Sequence, residues 1–267
     1  MMTPMHNFHT DKNGIPVASK DALDNLGEKL VRDFCPEAAE NPMRIDIERF
    51  VQEYLGMEQD YQHLTNNGVY LGMTVFNDTS MVPVYNPEKK CAQYIKARAG
   101  TVIIDTRLLE DRKKNRYRFT MGHEGSHGIL HSGYFAYDPN QISICDLSDV
   151  PMIRCRNVGP VGKTRKPASQ WTDNDRMEWQ ANRLSSAILM PREMVHKLAD
   201  NFRANNTERS SSLEGFYPTR IVSLTSKIFD VSREAAAYRL RELGLVSSKW
   251  DIAVLTGSRD VMDIYVR

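Results

Sequence analysis

Apolar residues recur at helical spacing in several stretches of the chain, and a single region between them changes to strand-like spacing. Leu23, Leu26, Leu30, Val31 and Phe34 predict a helix over 20–34. Ile45, Ile47, Phe50, Val51 and Leu55 predict another over 44–56, stopped by Gly56. Residues 69–76 are rich in β-formers and read as a strand, with Asn77-Asp78 as a turn. Residues 81–85 read as a shorter strand, placed at an edge by Pro83, and 101–105 as a third. A helix follows over about 115–131, carrying Tyr117, Phe119, Met121, Ile129 and Leu130. Periodicity is then lost over 138–172, a length that in a compact domain marks function or mobility. Thr172-Asp173 can cap a helix running to about Met190, where Pro191 stops it and opens the next. Residues 205–212 read as a linker. Two short helices come after it, the second starting after Ser232 and ending at Gly244, and 252–255 reads as a last strand.

This order gives an α+β chain: a small sheet, one central helix and a mostly helical C-terminal region. The expected organisation is a flexible tail over 1–19, a main domain over 20–205 and a helical, helix-turn-helix-like subdomain over 206–267.

Composition narrows the class. Hydrophobic residues make up 41% and charged residues 26%, as in an ordinary globular protein. Thirty-five basic residues balance 34 acidic ones, which argues against direct nucleic-acid binding through overall charge. No secretory signal opens the chain and no stretch approaches 18 apolar residues, so a cytoplasmic protein without a membrane span is expected. Cys35, Cys91, Cys145 and Cys155 are scattered and read as free thiols in a reducing compartment.

The candidate chemistry lies at His123-Glu124-Gly125-Ser126-His127. Two histidines four apart lie on one helix face, one turn above the other, and can share a Zn²⁺. Glu124 sits beside that ion without ligating it, where a general base is needed. Gly122, Gly125 and Gly128 in one short helix are costly, about 1 kcal/mol each relative to Ala, and imply close backbone approach. His131 extends the stripe, but three histidines at successive four-residue steps diverge around the helix. A hydrogen bond near the helix end or to substrate suits it better. A catalytic zinc takes three protein ligands and keeps one position open. Glu178 is the best third candidate, because it borders the apolar face of Met177, Ala181, Leu184, Ile188 and Leu189. A surface contact of Glu178 with Asn182 or Arg183 is the competing reading, and residue patterning leaves both open. Asp173 and Asp175 fit N-terminal capping better.

Two blocks resemble the ImmA/IrrE family of metallopeptidases. Residues 119–131 are similar to its His-Glu-x-Gly-His-x-x-x-His helix, with Ser126 where the family has Gly. Residues 178–191 are similar to its Glu-x-x-Ala-Asn … Leu-Met-Pro helix. The likeness spans about 44–205. It implies a zincin-like core of a small mixed sheet and an active-site helix, one Zn²⁺ per chain on His123, His127 and Glu178, and Glu124 as catalytic base. It also implies a bacterial cytosolic peptidase whose protein substrate is a helix-turn-helix repressor of a mobile element or stress response.

Tyr134, Tyr137, His131 and Arg183 are near enough in sequence to contact substrate or an oxyanion, and nothing selects among them. A substrate strand could add to the edge of the 69–105 sheet. The competing class is a regulator without turnover. It would be a metal sensor, or a DNA-binding protein using Arg233, Arg239 and Arg241 as contacts, although Glu234 and Glu242 interrupt that basic face. Oligomeric state is not legible.

Overall fold

A computed structural model describes residues 6–135, 152–156, 167–205 and 217–257. Contacts divide the chain into two units. One comprises Met1–Leu26, Asp46–Val158 and Arg165–Ser185; the other comprises Gly27–Ile45, Gly159–Thr164 and Ser186–Arg267. The architecture is α+β, consistent with a zincin-like core.

The first unit is built on a mixed sheet. Its strands are β1 (Glu58–Gln62), β2 (Tyr70–Val75), β5 (Thr101–Asp105) and β6 (Met152–Arg156), in the order β1-β5-β2-β6. β1 runs parallel to β5, while β2 is antiparallel to both β5 and β6. β3 (Thr79–Asn86) and β4 (Cys91–Ala97) form a separate two-stranded ribbon in which Pro83 faces Tyr94. A two-stranded ribbon has only edges, so Pro83 withholds no interior ladder bond.

Successive residues of a strand point to opposite faces. Met73 and Val75 of β2 join Leu64, Val82, Val84 and Ile103 in one apolar cluster. Gly72 and Thr74 therefore occupy the other face, beside α4 (Lys114–His131), which packs on β2, β5 and β6. This explains why β2 and β5 are buried from Gly72 to Val75 and throughout Thr101–Asp105. α4 is itself buried over most of its length, including Arg118 and all three of its histidines.

The end of β5 is closed by an ion pair. Asp105 is buried and accepts from Arg107 Nη2 at 2.6 Å, from Arg107 Nε at 2.7 Å and from the Leu64 amide at 3.0 Å. Arg107 also donates to Thr65 O at 2.7 Å, stapling the loop before β2. Burial alone would raise the Asp105 carboxyl; its bonds to Arg107 and to backbone amides outweigh this and hold it below the usual carboxylate range. A depressed carboxyl stabilises the fold above its unfolded value, near 3.9, and that stability is lost as pH falls through the folded value. Asp105→Asn is expected to cost about 1–3 kcal/mol in urea unfolding at pH 7. The gap to the parent should close as pH falls below about 4. A gap independent of pH would rule out the ion pair as its cause.

Helices α1 (Lys20–Phe34) and α5 (Asp173–Leu189) begin in the first unit and end in the second. Thr172 caps α5: its hydroxyl accepts from the Asp175 amide at 3.1 Å, and Asp175 accepts in return from the Thr172 amide at 2.9 Å. The segment expected as one helix over 44–56 is a short α3 (Ile47–Arg49) continued by a π-type turn, Phe50–Tyr54, and then Gly56 at φ +66°.

The second unit contains α2 (Pro36–Glu40), α6 (Arg192–Ala204), α7 (Tyr217–Phe229), α8 (Arg233–Glu242) and α9 (Ile252–Leu255). Ser232 caps α8, and Gly244 at φ +71° ends it. Residues 252–255 are helical rather than extended, because Asp251 accepts from the Ala253 amide and starts a turn.

Two further expectations change. Residues 6–19 are packed rather than a loose tail: Ile15 is buried with Phe76 and Met177. Within 138–172, residues 152–156 form the edge strand β6. The rest of that segment up to 166, including Cys145, lies outside the described residues, as do Tyr137 and the expected linker beyond 205. No described helix is long and apolar enough to cross a membrane.

Candidate metal centre

The histidine pair and the distant glutamate converge. His123 Nε2 and His127 Nε2 are 3.0 Å apart, and they lie 3.4 and 3.5 Å from the two oxygens of Glu178. His123 and His127 come from adjacent turns of α4 and Glu178 from α5. Both histidines are fully buried, and the Glu178 side chain is 21% exposed. Donors about 2.0–2.1 Å from a tetrahedral ion stand roughly 3.3 Å from one another, which is close to this spacing. Two imidazoles and a carboxylate suit Zn²⁺.

The electrostatics agree with such a cation. Burial works to raise the Glu178 carboxyl, but the charge and hydrogen bonds that the His123 and His127 rings supply when protonated outweigh it and hold it below the usual range; a bound cation would take the place of those protons. Burial lowers His127 and leaves it neutral, the form that binds metal. His123 Nδ1 donates to Asn182 Oδ1 at 3.0 Å, which leaves its Nε2 lone pair toward the cluster. Asn182 thus serves His123 rather than Glu178.

Glu124 is wholly buried. Thr74 Oγ1 donates to its Oε2 at 2.6 Å, and Oε1 has no hydrogen-bond partner among the described residues. A buried carboxylate oxygen without a donor is costly unless something else uses it. Burial pushes the carboxyl up to about 7, against the opposing pull of His123 and Thr74. Room for it comes from Gly72, where a Cβ would stand 2.6 Å from Glu124 Oε1 and 2.7 Å from Thr120 Cγ2. Gly72→Ala is therefore expected to displace Glu124, costing about 1–3 kcal/mol and lowering turnover. Thermal unfolding and a peptide assay together would check this; a variant with parental stability and rate would sink it.

The helix glycines have comparable reasons. A Cβ on Gly122 would meet Ser185 Oγ at 2.8 Å, and one on Gly125 would meet Val51 at 2.9 Å. Of the residues named as possible substrate contacts, Arg183 is buried against Asp24 in an ion pair. His131 is buried, 2.9 Å from His127 Nδ1 and 3.0 Å from Gln180. Tyr134 is half-buried beside Phe135. Thr74, Gly72 and Gln180 were not singled out from sequence. A glycine inside a β-forming run was a usable signal for Gly72, whereas Thr74 and Gln180 carried none.

Helix-borne histidines at this spacing, joined by a carboxylate from a second helix, form a group that could hold a metal ion. Residues 161–241 match the model of the peptidase M78 family, described as an IrrE N-terminal-like domain; the match takes in the second of the two motif blocks, 178–191, and not the first, 119–131. That stretch includes Glu178, Gln180 and Asn182 and lies C-terminal to the histidine helix. No curated protein matches the chain.

Proposed function

We propose that this chain is a zinc-dependent endopeptidase with His123, His127 and Glu178 as ligands and Glu124 as general base. The observation that carries the reading is the convergence of these three donors beside a buried carboxylate. When bound, the ion supplies Lewis-acid polarisation of the scissile carbonyl and the attacking water. Thr74 holds Oε2 of Glu124, so Oε1 is the atom that takes the water's proton and returns it to the leaving amine.

The substrate is proposed to be an extended segment of a helix-turn-helix repressor, cleaved in the cytosol. β2 and β5 are interior strands, so strand addition falls to an edge, and β6 is an edge packed on α4. Of the contacts proposed for the DNA-binding alternative, Arg239 is withdrawn from the surface while Arg233 stays exposed. Arg239 is fully buried and donates to Met190 O at 3.1 Å. Arg241 donates to Trp250 O, and Arg233 to Thr256 O at 3.3 Å.

The direct test is co-expression with a small helix-turn-helix repressor encoded beside the gene. Cleavage dependent on zinc supports the reading. An intact repressor, together with no hydrolysis of a peptide library, would refute it.

A further inference from the structure

The N-terminal segment lies along one face of α5. Asn13 Nδ2 donates to Asp173 at 2.7 Å, Asp11 pairs with Arg176 at 2.6 Å, Ile15 packs with Met177, and Gln180 Nε2 donates to Pro16 O at 2.6 Å. Positions 173, 176, 177 and 180 are successive neighbours on a helix surface. The segment also reaches the end of α4, where His6 Nε2 meets Leu130 O at 3.2 Å.

The last of the α5 contacts fixes a direction. A backbone carbonyl only accepts, so the Gln180 amide must present NH₂ to Pro16 and its oxygen to His131. His131 Nε2 must then donate to that oxygen. A neutral imidazole carries one proton, and in His131 that proton faces Gln180 on Nε2, so its Nδ1 is an acceptor. The 2.9 Å contact to His127 therefore takes its proton from His127 Nδ1, and the His127 lone pair is left on Nε2, facing His123 and Glu178.

We propose that His131 and Gln180 are positioning residues that set the tautomer of His127, and that the N-terminal segment fixes their polarity through Pro16 O. This deepens the metallopeptidase reading and rests on it, because the orientation matters only if His127 Nε2 is a ligand. A partner of this kind raises zinc affinity by about 10–100-fold.

The experiment uses the full chain. Histidine ¹⁵N spectra of the parent, with zinc and without it, are expected to give His131 as the Nε2–H tautomer and His127 protonated on Nδ1. Gln180→Met is near-isosteric and removes the acceptor, so chelator competition should give about 10–100-fold weaker zinc binding. Gln180→Glu keeps the acceptor for His131 and should bind zinc within a few-fold of the parent. A packing role alone predicts the reverse order of the two variants. His131 found as Nδ1–H, or Gln180→Met within twofold of the parent, overturns the relay. Should Gln180→Met fail to fold, the parent tautomers decide. A parent that binds no zinc overturns the metal centre and with it the positioning role; the His131 tautomer tells that result apart from a failed relay.

Discussion

Glu124→Gln is expected to keep about one zinc per chain and to cut hydrolysis by about 10²–10⁴-fold. The amide retains the size of the side chain and its acceptor for Thr74, so the fold should tolerate it. It cannot take a proton from water. The pH profile of the parent gives a second check. Burial pushes the Glu124 carboxyl up to about 7 in the metal-free chain, and a dication alongside pulls it down. The acidic limb should therefore fall below 7, with activity lost as pH drops, because a protonated carboxyl is no base. A Glu124→Gln chain that cleaves at the parental rate would sink the mechanism.

Glu178→Ala should act at the earlier step. Removing a ligand, rather than a hydrogen-bond partner of one, is expected to weaken zinc binding by more than about 100-fold. His123 and His127 would remain on α4, held by Asn182 and His131, as a two-ligand site. Metal content after dialysis against a weak chelator is the measurement, with circular dichroism to show that α5 survives. If Glu178→Ala holds zinc as the parent does, the third ligand lies elsewhere. Together the two variants separate loss of the metal from loss of the base.

The site was only partly legible in the sequence, and the reasons are physical. Two histidines four residues apart share a helix face wherever the helix sits, so local spacing exposes them. Glu178 borders an apolar stripe, which made it a candidate but left Asn182 and Arg183 as rival partners. Only the packed chain shows Asn182 turned to His123 and Arg183 to Asp24. Thr74 lies 50 residues before Glu124 on a strand, and no period in the chain connects them.

The same limit governs the fold. β1 reads Glu-Gln-Asp-Tyr-Gln and has no apolar alternation; its backbone pairing with β5 makes it a strand. β4 is largely exposed and carries as weak a pattern. Residues 252–255 are four apolar positions, too short a run to distinguish the two periods, and the aspartate before them decides for a helix. Residues 6–19 looked polar enough to be loose, yet one buried isoleucine and the Asp11–Arg176 pair hold them.

β2 is covered on both faces, and the two coverings ask different things of it. On one face Met73 and Val75 fill an apolar layer, where another side chain of similar volume serves as well. On the other, Gly72 and Thr74 leave the Glu124 carboxylate its space and a hydrogen bond. Over long divergence the strand should thus drift with a beat of two, every second position free to wander among aliphatic residues and the positions between held still by chemistry on a neighbouring helix.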